Sequence, residues 1–178
     1  IKVGEEQEPY IVKMNAAGAF VKEFKLEPGY AIGLPSISID RNGNTYFSVD
    51  REGGTEGVIL EYDTGDNFVE AIDGFNDSYP GGIRNISSIS FDSHNNIYVT
   101  GSRSDDSGMV LVKVAQDGTV LNSIGQLTGA TDGYDAPFLA TVNSYDQLYI
   151  AALESSPNSS RNTMRVVTVD SNGAIISS

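Results

Sequence analysis

Apolar positions along this chain come in short runs rich in Val, Ile, Phe and Tyr, separated by turns of Asp, Asn, Gly and Ser. Such runs are too short for helices and have the composition of strands. They also recur. Ile37-Ser-Ile-Asp40-Arg-Asn-Gly43-Asn-Thr-Tyr46-Phe-Ser-Val49 returns as Ile89-Ser-Phe-Asp92-Ser-His-Asn95-Asn-Ile-Tyr98-Val-Thr-Gly101. A third copy reads Ala140-Thr-Val-Asn143-Ser-Tyr-Asp146-Gln-Leu-Tyr149-Ile-Ala-Ala152. Tyr46, Tyr98 and Tyr149 are 52 and 51 residues apart. Residues 58–72 align without gaps on 110–124, again 52 apart, and residues 166–178 form a last copy. Residues 11–24 repeat this second half of the unit only.

Each full unit therefore holds four strands, a to d. The a–b joints Asp40 to Gly43 and Asp92 to Asn95 read as tight turns, as do the c–d joints ending in Gly18, Gly118 and Gly173. Asp accepts local backbone hydrogen bonds there, and Gly or Asn takes the left-handed position. Four antiparallel strands recurring about every 50 residues are the signature of a β-propeller blade. The pattern predicts an all-β chain forming one propeller segment over residues 1–178. Its parts are a half blade at 1–25 and full blades at 26–73, 74–125 and 126–178. The half blade lacks strands a and b, so the expectation is a longer parent protein or a neighbouring chain that completes the array.

Asp92-Ser-His-Asn-Asn-Ile-Tyr-Val-Thr-Gly101, followed by Val110-Leu-Val-Lys-Val-Ala-Gln-Asp-Gly118, resembles the bacterial β-propeller repeat called SBBP and is similar to the NHL repeat. The first full copy departs from it with Phe47-Ser-Val49 in place of Val-Thr-Gly. The third departs further, with Asn143 for Asp and Ala151-Ala152 for Thr-Gly. The resemblance implies the fold and a secreted or cell-surface location. It implies no single activity, since propellers host many.

Composition narrows the chemistry. With no Cys, one His and no Trp, thiol catalysis, Cys-based zinc sites and His-rich metal sites lack their residues. A formal net charge of -13 argues against nucleic acid as partner. No apolar run approaches the ~20 residues of a membrane helix. His94 sits in an a–b turn, which reads as a solvent-exposed turn residue rather than a catalytic base. Asp40-x-Asn42-x-Asn44 starts like a calcium loop, but Thr45 and Arg51 stand where such a loop needs Gly and Glu. No cofactor is expected; Ca²⁺ held by loop acids such as Asp105-Asp106 or Asp132 and Asp135 is the minority reading. Asn76, Asn85 and Asn158 match the glycosylation pattern about as often as chance predicts.

The candidate ligand face is built from connections. The d–a connections 26–36, 74–87 and 126–137 each carry a Tyr: Tyr30, Tyr79 and Tyr134. The b–c connections each carry an Arg: Arg51, Arg103 and Arg161. Both sets leave the blades on the same side, and Tyr and Arg are enriched in binding hot spots. The competing structural reading pairs each Arg with nearby acids and packs each Tyr between blades. The expected function is a non-enzymatic extracellular binding or assembly module for a protein or carbohydrate ligand. Two alternatives stand beside it. One is a propeller hydrolase or lyase with a carboxylate- or metal-based site at the ring centre. The other is a structural subunit of an extracellular filament or layer.

Overall fold

The computed structural model describes residues 10–31, 36–53, 56–73, 83–103, 109–124, 136–155, 162–170 and 174–177. Among them there are strands and turns and no helix. β1 (Tyr10–Met14) and β2 (Phe20–Lys25) pair as an antiparallel hairpin. The next sheet holds β3 (Tyr30–Ala31), β4 (Ile37–Ile39), β5 (Thr45–Arg51), β6 (Gly57–Tyr62) and β7 (Phe68–Ile72). A third sheet runs β8 (Ile83–Phe91), β9 (Ile97–Arg103), β10 (Met109–Val114), β11 (Val120–Ile124). The fourth runs β12 (Ala136–Val142), β13 (Leu148–Ser155), β14 (Asn162–Val169), β15 (Ile175–Ser177). Every pairing is antiparallel between sequence neighbours, apart from β3 and β4, which share the same edge of β5. The chain is a partial β-propeller: three four-stranded blades and the outer pair of another.

The connections are shorter than the sequence pattern implies. β3 lies inside the predicted connection 26–36 and extends the first strand of its blade, with Tyr30 opposite Arg51. β8 begins at Ile83 and β12 at Ala136, inside the predicted connections 74–87 and 126–137. A register shift between Arg84 and Ser88, with Asn85 at φ 49°, lets β8 bend there and hides its strand character from a simple alternation.

The a–b and c–d corners share one turn. Its first residue is Asp or Asn, accepting backbone N–H groups two and four positions on, except at Ala115, where Asp117 Oδ1 accepts the Thr119 N–H instead. Asp40 takes Asn42 and Asn44 at 2.9 and 2.8 Å, and Asp92 takes His94 and Asn96 at 2.9 Å each. Asn143, Asn15 and Asp63 do the same. The fourth residue is left-handed: Gly43, Asn95, Asp146, Gly18, Asp66 and Gly118 all have positive φ. Gly escapes the Cβ clash, and Asn and Asp bear it best among the rest.

Blades meet face to face. Tyr46 and Ile59 join Ile83, Ile86, Ile89, Ile97, Val99 and Val112 in one buried cluster between the second and third sheets. Tyr98 and Leu111 join Ala140, Leu148, Ile150 and Val167 in the next. Phe47, Val49, Val58 and Leu60, on the opposite face of the second sheet, pack with Ile11 of the hairpin. Serines clasp the inner strands across the joints. Ser36 Oγ accepts the Ile89 N–H at 3.1 Å. One blade later, Ser88 Oγ accepts the Ala140 N–H at 3.0 Å and donates to its carbonyl at 2.9 Å.

Gly57 opens β6 where the third blade comes closest. A Cβ there would lie 2.8 Å from Ile86 Cγ1 and 3.2 Å from the Ile83 carbonyl. Overpacking of this kind costs about 1–3 kcal/mol. Gly57→Ala should therefore lower the unfolding free energy in urea by about that amount, and an unchanged midpoint would contradict the close joint.

Candidate functional site

Two of the six predicted face residues are described with their side chains, and they stand together. Tyr30 and Arg51 are direct cross-strand partners, so both project from the same face of the sheet. Tyr30 is half-buried and packs against the Phe47–Leu60 cluster. Arg51 is exposed and forms a close ion pair with Asp73, just past the end of β7, with Glu56 at 3.5 Å from its Nε. The outcome for this pair favours the structural reading: the ring fills a joint and the guanidinium ties the end of the second strand to the end of the fourth. Arg51 and Arg103 end β5 and β9 rather than lying in loops. The Arg103 side chain, Tyr79, Tyr134 and Arg161 lie outside the described residues, as do Asp105, Asp106, Asp132 and Asp135.

Asp50 points to the other side of β5, toward the third blade. Burial raises its carboxyl above the ordinary carboxylate range, and the backbone N–H of Asn85 offsets only part of this. It is the partly buried acid closest in sequence to the Tyr30–Arg51 edge.

The opposite rim holds the only His. Ser93 Oγ lies 2.6 Å from Asp146 Oδ2 and 3.1 Å from His94 Nδ1, with His94 Nδ1 and Asp146 Oδ2 3.9 Å apart. In a nucleophilic triad the imidazole stands between hydroxyl and carboxylate. Here the hydroxyl stands between the other two and donates its hydrogen bond to the carboxylate, so the imidazole is not placed between hydroxyl and acid as a triad requires. Asp146 also accepts the Ser93 N–H at 2.7 Å, and these two bonds hold its carboxyl below the usual range. Asn95 likewise accepts the Arg41 N–H at 3.3 Å. Asn95 and Asp146, the left-handed residues of these two turns, therefore reach back to the preceding blade. The sequence reading gave these residues a conformational role only. The remaining signal is the use of Asn95 and Asp146 where Gly43 shows that glycine suffices.

Inside the third blade lies a buried ion pair. Lys113 Nζ is 3.0 Å from Asp92 Oδ2 and 5.0 Å from the centre of the Tyr98 ring. Burial raises the Asp92 carboxyl, but Asn96, Lys113 and two backbone N–H groups outweigh it and hold the group below its ordinary value. The second blade has Glu61 at the Lys113 position. Burial lifts the Glu61 carboxyl, with Glu70 and Asp40 adding to the rise; hydrogen bonds, including one from Asn44 at 2.9 Å, offset part of it. Asp40 Oδ1 already serves the Asn42 and Asn44 N–H groups, as the turn reading requires. Among the described residues no three His, Cys, Asp or Glu side chains are grouped to hold a metal ion.

Comparison with known proteins adds little. No protein-family model matches the sequence, and no curated protein matches it. Among solved structures it is similar to a GH43 endo-arabinanase from Bacillus licheniformis, at 17% identity and a TM-score of 0.41. The match covers 80% of this chain and 58% of that one. One expectation is corrected here. The chain was read as not an enzyme, and the propeller it is similar to is an enzyme.

The last blade carries Asn143 and Thr168 at the positions of Asp92 and Lys113. Asp92→Asn should cost about 3 kcal/mol, since it leaves Lys113 buried without its anion. Asp92→Asn combined with Lys113→Thr should recover most of this loss. Because the folded pKa of Asp92 is depressed, its contribution is full above the ordinary carboxylate pKa and disappears as pH falls through the lowered value. Denaturation curves of both variants between neutral and acid pH check the pair and the sign together.

Proposed function

We propose that this propeller segment binds a polyhydroxylated ligand, a carbohydrate, at the edge formed by Tyr30, Arg51, Glu56 and Asp73. The supporting observation is the exposed Arg51 guanidinium held by two carboxylates beside a half-buried tyrosine. An arginine neutralised in this way does not trap anions, and the strongly acidic chain repels them. What the edge offers is a fixed array of donors and acceptors of the kind that sugar hydroxyls require.

A second reading rests on Asp50. A half-buried carboxyl with a raised pKa is the form in which a general acid donates a proton to a glycosidic oxygen. On this reading a sugar reaching the third-blade side of β5, opposite the Tyr30–Arg51 face, is cleaved, in line with the hydrolase alternative.

Glycan-array binding of the intact chain and of Arg51→Ala tests the edge. Binding that falls at least about tenfold in a folded Arg51→Ala variant, equivalent to about 1.4 kcal/mol, supports it; undiminished binding rejects this edge. Reducing-end release from any bound glycan, abolished by Asp50→Asn with binding kept, separates cleavage from binding alone.

A further inference from the structure

The two ends of the blade array expose apolar faces that the joints between blades bury. Tyr46 is 0% exposed and Tyr98 2%, each covered by the blade that follows; Tyr149, the same position in the last described blade, is 37% exposed. Ile59 and Leu111 are fully buried in the same joints. Val166 takes their place, since it faces Ala151 as Leu111 faces Thr100, and it is 51% exposed with Met164 beside it at 70%. At the other end the hairpin turns Val12, Met14 and Phe20 outward, at 42%, 61% and 63%. Their equivalents two repeats on are Val112, Val114 and Val120, which pack into the joint with the preceding blade.

The ends are thus the two halves of one joint. A face with the positions of Ile59 and Leu111 is covered, wherever both sides are present, by a face with the positions of Val112, Val114 and Val120. We propose that the chain associates with a second copy of itself head to tail, the Tyr149–Met164–Val166 face of one copy seated on the Val12–Met14–Phe20 face of the next. The contact continues an interface that the molecule already makes within itself, with the second and third strands of the last blade facing the third and fourth strands of the hairpin blade. It is heterologous, so each copy keeps one free face. Acidic chains repel, which weakens such a contact at low ionic strength and favours it as salt rises.

The experiment is sedimentation equilibrium of the full chain over a range of concentration and salt. The wild type should show a concentration-dependent mass above that of one chain. Val166→Asp and Met14→Asp should each be monomeric alone, with the far-UV dichroism of the parent. Mixed in equal amounts they should form a one-to-one dimer, because each retains the face that the other needs. A wild type that stays monomeric at every concentration overturns the proposal and leaves the face to a blade from a different source. An assembly that survives in either single variant also overturns it, since the contact would then be of another kind.

Discussion

Each blade of this chain is apolar on both faces and has to be covered on both. A two-sided apolar sheet cannot stand alone in water, so its stability is held jointly with its neighbours. The tyrosine of the second strand makes this plain. Tyr46 packs at a tilt against Phe91 of the following blade with ring centres 4.7 Å apart, and Tyr98 packs among Ala140, Leu148 and Ile150. Burial raises the Tyr46 hydroxyl well above its usual pKa, and Glu61 and Asp40 raise it further. The phenol therefore stays neutral, and the joint holds no charge on that ring.

The polar layer follows from the apolar one. Once two sheets are pressed together, the backbone groups near the inner strands need partners that do not come from their own ladder. Ser36 and Ser88 supply them across the joint, and Asn95 and Asp146 do so at the turns. The buried Asp92–Lys113 pair ties the a–b turn to the third strand of the same blade. Arg51 at the blade edge is held separately, by Asp73 and Glu56 of its own blade.

Local signals in the sequence were enough for the blade, its corners and its repeat. The 52-residue spacing located the hairpins, and Asp or Asn at the first turn position described the hydrogen bonds of most turns, while Ala115 at that position and Asp66 and Asp146 at the left-handed one depart from the reading. What was not legible depends on contacts between blades. Asn95 and Asp146 serve the blade before them, which nothing within their own turn announces. The strand character of residues 83–87 is masked by a bulge at Asn85. Arg51 and Asp73 are brought together only when β5, β6 and β7 assemble, so a Tyr and Arg pattern along the chain looked more like a free surface than the geometry allows.

The covering of faces is tested most directly by truncating the same tyrosine at its three positions. Urea unfolding at low protein concentration should show Tyr46→Ala and Tyr98→Ala each losing about 3–5 kcal/mol, the range for deleting a large buried ring. Tyr149→Ala, with no blade over it in the single chain, should lose about 1 kcal/mol or less. Equal losses at all three positions would contradict the account, because stability would then not depend on the joints.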